Sequence, residues 1–166
     1  TPFPPAGSLI HSDDCERGQL GGIACRALMK DLWLGGLSRP DVSKPITDLA
    51  SNVSKWTRND DKRMFYLMSY LESTWYYKLL GTCQDDMKYC KLLLFVDADF
   101  CGDTESTKSS SGGWLVFAGP NTWFPICWIS RKQTSTSHST AESEVVALAT
   151  ALFQEALPML SLFDIL

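Results

Sequence analysis

Apolar positions recur along this chain at two periods, one in each half. From Leu20 to Leu37 the residues Ile23, Ala24, Ala27, Leu28, Leu32 and Trp33 return at helical spacing, and Gly35-Gly36 supplies a stop, so this stretch predicts a helix. Ser38-Arg39-Pro40-Asp41 reads as a turn into a second helix with Val42, Ile46, Leu49, Val53 and Trp56 on one face and Pro45 near its first turn. Thr57 to Asp61 reads as a polar break. A third helix follows, with Met64, Leu67, Met68, Leu71, Trp75 and Leu79 on one face and a stop at Gly81. After Gln84-Asp85-Asp86 the pattern changes to strands at 92–100, 112–119 and 123–130, in meander order and hence antiparallel. A Ser/Thr-rich link then caps a helix from about Thr140, with a stripe of Val145, Leu148, Ala149, Leu152, Ala156 and Leu160, which Pro158 should kink or end. The predicted division is an extended arm at 1–19, a helical segment at 20–84 and a sheet-bearing domain at 88–166.

The strand at 92–100 is a continuous apolar run, which suits burial on both faces, yet it carries Asp97 and Asp99 on one face and is followed by Asp103. Desolvating ionised carboxylates costs several kcal/mol unless a cation or hydrogen bonds compensate. A divalent cation is one compensation; a solvated strand end leading into an Asp-rich turn is the other reading.

Composition narrows the class. With 166 residues, 45% hydrophobic and 20% charged, the chain is expected to be globular, with no apolar run approaching bilayer length and no signal-peptide pattern at Thr1-Pro2-Phe3-Pro4-Pro5. The expectation is therefore no membrane and an intracellular location, cytoplasmic or nuclear. Cys15, Cys25, Cys83, Cys90, Cys101 and Cys127 form no Cys-x-x-Cys pair and read as reduced, mostly buried thiols; His11 and His138 have no cysteine at zinc-finger spacing. A net charge of -4 and a pI near 5.1 argue against bulk electrostatic grip on nucleic acid, although carboxylates awaiting metals also lower a pI. Arg39, Lys44, Lys55, Arg58, Lys62 and Arg63 read as a solvated face, with a phosphate track as the alternative.

Four segments together carry a resemblance: Val96-Asp97-Ala98-Asp99-Phe100-Cys101-Gly102-Asp103, Thr107-Lys108-Ser109-Ser110-Ser111-Gly112-Gly113, Trp128-Ile129-Ser130-Arg131-Lys132-Gln133, and Ser139-Thr140-Ala141-Glu142-Ser143-Glu144-Val145-Val146-Ala147-Leu148. In this order and spacing they resemble the ribonuclease H region of a copia-type LTR retrotransposon polyprotein. Leu37-Ser38-Arg39-Pro40-Asp41-Val42 and Tyr70-Leu71-Glu72-Ser73-Thr74 resemble the preceding segment that joins it to the reverse transcriptase.

The resemblance implies a mixed α/β (α+β) fold: a helical connection segment followed by a truncated ribonuclease H-like fold, a three-stranded antiparallel meander plus one long helix, with later strands missing. It implies hydrolysis of the RNA strand of an RNA–DNA hybrid by two magnesium (or manganese) ions, with a polymerase domain N-terminal to this segment. The implied catalytic and metal-binding residues are Asp97 and Glu144, with Asp99 and Glu142 as alternatives. Glu142 and Glu144 point in nearly opposite directions on a helix, so one alone can face the strand, and the family pattern favours Glu144. Lys108, Arg131, Lys132 and Gln133 are candidate nucleic-acid contacts, with ordinary loop polarity as the other reading. The family's third metal-binding aspartate follows a further strand, so metal is expected to bind weakly. The first strand is then left with an open edge that invites self-association. A catalytically incomplete remnant, acting as a connector or nucleic-acid-binding module, is the alternative function.

Overall fold

The computed structural model describes residues 1–3, 16–101 and 107–164. It resolves into two compact units, Thr1–Leu79 and Leu80–Leu166. His11, Cys15, Gly102 and Asp103 lie outside the described residues.

The first unit holds three helices, α1 (Gly21–Leu37), α2 (Ser43–Ser51) and α3 (Arg58–Ser73), with short 3-10 turns at Pro40–Val42 and Val53–Lys55. Its core is Ala24, Leu28, Val42, Ile46, Leu49, Trp56, Met64 and Leu67. The face expected of the second helix is buried apart from Val53, which packs half-buried against it. The first helix buries Ala24 and Leu28 but leaves Ile23, Leu32 and Trp33 exposed.

The polar stretch at 57–61 is a helix start rather than a break. The Thr57 hydroxyl accepts from the Asp60 N–H at 3.3 Å while the Asp60 carboxylate accepts from the Thr57 N–H at 2.9 Å, satisfying two orphan donors reciprocally. Residues 16–19, expected to end an arm, are stitched to this corner together with Leu20. Asp61 accepts from the N–H groups of Gln19 (2.6 Å) and Leu20 (3.0 Å) and from the Trp56 indole (2.6 Å). Gly18 makes this possible, because a Cβ there would collide with the Thr57 carbonyl and stand 2.7 Å from the Trp56 ring.

The third helix ends at Ser73, short of the expected Gly81, and Trp75 is exposed. Arg39 holds that end. Only 6% exposed, it donates to the Thr74 carbonyl (2.9 Å) and hydroxyl (2.8 Å), and the same carbonyl accepts from the Tyr77 N–H at 3.0 Å in one closing turn. Its remaining N–H groups clamp Asp41 at 2.9 and 2.7 Å, and Tyr70 and Tyr77 present ring faces to the guanidinium. Arg39 therefore leaves the solvated basic group in which its sequence neighbours placed it.

The second unit is a three-stranded antiparallel sheet in the order β1 (Lys91–Asp99), β2 (Ser110–Ala118), β3 (Trp123–Lys132), followed by α4 (Thr140–Ala151), a π-helical turn (Leu152–Ala156) and α5 (Leu157–Phe163). The fold is thus mixed α/β, a helical segment and then a meander with one long helix, the arrangement expected of a truncated ribonuclease H-like fold. Pro125 sits inside β3 beside a register shift opposite Leu115/Val116, the irregularity at which a strand tolerates proline.

Three expectations change here. Among the described residues β1 has β2 as its one hydrogen-bonded neighbour, and its exposure alternates rather than being buried on both faces, because α4 packs over the face that carries Leu94. α4 does not bury the stripe of large apolar residues: Ser143, Ala147 and Ala151 are buried, while Val145, Leu148, Leu152 and Leu160 are exposed. The helix also runs on through Pro158, because the π turn just before it loosens the i to i−4 ladder that proline would break.

That continuous helix, Thr140–Phe163, is 24 residues long and by length and composition alone apolar enough to cross a membrane, which corrects the expectation that no run approaches such a length. Nor are the described cysteines mostly buried: Cys25 and Cys83 are exposed, and Cys90, Cys101 and Cys127 are intermediate.

Candidate active site

Strand alternation decides where the acids go. Asp97 and Asp99 stand opposite Gly112 and Ser110 of β2 and are exposed, on the same face as Leu93 and Phe95. The other face carries Leu94 and Val96 and lies under α4. Leu94, Gly113, Leu115 and Ile129 line one small space with Ala151, and a Cβ on Gly113 would stand 3.2 Å from that of Ala151 and 2.8 Å from Ile129 Cγ1.

On α4 the two glutamates differ in use. Ser139 caps the helix by accepting from the Glu142 N–H at 3.1 Å, and the Glu142 carboxylate turns back to accept from the His138 N–H at 2.6 Å. Glu142 is thereby committed to the helix start. Taking the line through Ser143, Ala147 and Ala151 as the contact with the sheet, 100° per residue sets Glu144 about 60° from it and Glu142 about 140° away. Glu144 is exposed and leans towards the sheet side of the helix; Glu142 does not. Asp97 projects from the face away from α4, so the structure does not set Asp97 and Glu144 over a common face.

The candidate nucleic-acid contacts separate in the same way. Gln133, 5% exposed, donates from Nε2 to the Ser111 hydroxyl (3.0 Å) and the Ser143 carbonyl (2.9 Å), and its Oε1 accepts from the Ser137 hydroxyl (3.0 Å). Its amide is used up inside, so it makes no phosphate contact in this arrangement. Arg131 donates to Gln154 Oε1 at 2.8 Å from an exposed position. Lys132 stands opposite Ser110, and Lys108 is half-buried just before β2.

The serine and glycine run before and within β2 proves to be packing hardware that the sequence had not assigned. The Ser109 hydroxyl accepts from the Cys101 N–H at 3.3 Å and its carbonyl from the Gln133 N–H at 2.8 Å. Cys101 (φ 52°) and Thr107 (φ 54°) are both left-handed, as sharp turns require. Ser111 and Ser143 meet through Gln133, and Gly113 lets α4 approach. Spacing alone could not announce this, because the partners come from three elements.

A two-metal nuclease site needs carboxylates converging on ions about 3.5–4 Å apart. Among the described residues no group of three or more His, Cys, Asp or Glu side chains is gathered to hold a metal ion. Asp97 and Asp99 stand on one face of β1, and α4, the helix that carries Glu144, packs on the other.

No known family model matches the chain, and no solved structure matches it. Among curated proteins it is 31% identical over 125 residues to the secreted RxLR effector protein 161 of Plasmopara viticola, covering 75% of this chain and 82% of that protein. It is 28% identical over 124 residues to an uncharacterized mitochondrial protein of Arabidopsis thaliana, of which the match spans 49%. A mixed α/β chain with a meander and one crossing helix is the class its fold defines. Within it, the chain belongs to the family of the secreted RxLR effector protein 161.

Proposed function

We propose that this chain is a ribonuclease H-type segment of a retrotransposon reverse transcriptase polyprotein. Its second unit would supply the nuclease scaffold and two of the acids, Asp97 and Glu144, and its first unit the connection to the polymerase. One observation carries the reading: an acid-tipped first strand, a meander and a glutamate-bearing helix follow one another, and Gln133 ties the start of that helix to the second strand. In a complete enzyme the substrate is the RNA strand of an RNA–DNA hybrid, and magnesium or manganese supplies the Lewis acid.

A second reading, a catalytically incomplete connector or nucleic-acid-binding module, is favoured by Asp97 facing away from α4 and by Gln133 turning inward. Cleavage of a labelled hybrid in magnesium separates the two. The chain as given is expected to cleave little or not at all. A longer chain carrying the further strands that the resemblance implies should cleave, and Asp97→Asn or Glu144→Gln should abolish it; silence from the longer chain favours the module.

A further inference from the structure

We infer that Gln133 is a positioning residue for Glu144: its buried side-chain amide fixes the peptide that carries Glu144 at a set distance from β2. What Glu144 does rests on the nuclease reading; how it is held follows from the packing alone. Gln133 thereby takes a role other than the phosphate contact its sequence neighbours suggest.

The amide reaches two stations at once. Nε2 donates to the Ser143 carbonyl at 2.9 Å and to the Ser111 hydroxyl at 3.0 Å, so both of its N–H groups are in use. The Ser143 carbonyl belongs to the peptide group whose nitrogen is that of Glu144. Ser111 immediately precedes Gly112, the residue opposite Asp97 on β1. One planar group is thus bonded beside the station of each acid, and α4 cannot slide along the sheet without breaking one of its bonds. The amide is itself fixed: Oε1 accepts from the Ser137 hydroxyl at 3.0 Å, and the Gln133 N–H donates to the Ser109 carbonyl at 2.8 Å. Away from water such bonds are stronger and costly to leave unmade, so the link is rigid as well as short. Ser143 closes the first turn of α4 from within, fully buried and donating its hydroxyl to the Thr140 carbonyl at 2.7 Å. Glu144 leans out from this backbone to an exposed position and inherits its placement from it.

Gln133→Met keeps the volume and removes both donors; Thr122→Val is the control. The buried Thr122 hydroxyl, at the opposite end of β2 and β3, accepts from the Gln84 and Asp85 N–H groups at 3.0 Å, so losing it loosens the unit far from Gln133. In the chain as given, hydrogen exchange read by mass spectrometry should quicken about tenfold or more at amides 143–147 in Gln133→Met, beyond any change in Thr122→Val. In a longer chain carrying the further strands, Gln133→Met should lower kcat on an RNA–DNA hybrid about tenfold to a hundredfold at unchanged KM, and Thr122→Val should not. Should Gln133→Met lose the circular dichroism of the fold, Ser111→Ala, which removes one anchor of the amide and leaves the other, carries the same test with a smaller effect. Exchange at 143–147 no faster than in Thr122→Val overturns the inference, and so does undiminished kcat in a longer chain that cleaves. A longer chain that is silent before any substitution overturns instead the nuclease reading and the role of Glu144 with it, while the exchange still decides whether Gln133 holds that backbone.

Discussion

Two polar side chains, Arg39 and Gln133, are buried and bonded across the chain. Each holds partners distant in sequence: Thr74 lies 35 residues beyond Arg39, and Ser111 lies 22 residues before Gln133. A one-dimensional pattern groups Arg39 with nearby lysines and Gln133 with loop polarity, because nothing local reveals a partner so far away. Truncating Gln133 to Ala would take the partner from the buried hydroxyls of Ser111 and Ser137 and remove the bond that ties the Ser143 carbonyl to the sheet. It should cost about 2–3 kcal/mol in urea unfolding, against well under 1 kcal/mol for Lys108→Ala.

Arg39 also gives a pH signature. Burial pushes the Asp41 carboxyl up, but the hydrogen bonds from Arg39 and Tyr70 and the Arg39 charge outweigh it and hold Asp41 below its ordinary value. The stabilisation is therefore fully present above the unfolded value of about 3.9 and is lost as pH falls through the lower folded one. Asp41→Asn should be less stable than the unaltered chain at pH 6, with the gap closing below about pH 4. A gap independent of pH would refute the ion pair.

Thiol chemistry divides at the same scale. Burial, with the Glu155 carboxylate adding, pushes the Cys127 thiol up to about 12, whereas Cys25 and Cys83 are exposed. Iodoacetamide near pH 8 should label Cys25 and Cys83 promptly and Cys127 only on unfolding, as peptide mapping would read.

Elements were legible where one face alone is apolar. The second helix buries nearly the face its period predicts, and the three strands fall within two residues of their expected limits, because Gly and Pro-Asn turns bound them. α4 failed that reading because it is apolar on two faces. The pattern favours the larger residues, but a helix lying close over Gly113 accepts only Ser143, Ala147 and Ala151 at the contact. Gly113→Val should therefore force α4 off the sheet and cost about 2 kcal/mol or more, while Leu148→Lys on the outer face should change stability by less than about 0.5 kcal/mol. Equal losses would restore the large-residue stripe as the packed face.

At the scale of the whole molecule, the order of four short motifs conveyed more than any one of them. Those motifs turn out to mix two kinds of residue: acids on exposed faces and the serine, glycine and glutamine that seat a helix on a strand. The resemblance therefore reads scaffold more securely than chemistry, and the scaffold's parts should be separable. The first unit carries a core of its own, from Ala24 on α1 to Leu67 on α3, and its entry segment at 16–20 is bound to the cap of α3 by Asp61. A polypeptide of residues 16–79 should then fold alone into a helical domain with a cooperative melt, marginal in stability as domains of about 60 residues are. Leu67→Ala, removing a fully buried side chain, should cost about 3 kcal/mol and abolish the melt, whereas Trp33→Ala, at a side chain 73% exposed, should leave it in place. A fragment without helical signal, or one indifferent to Leu67→Ala, would mean that this cluster is not the core holding the unit together.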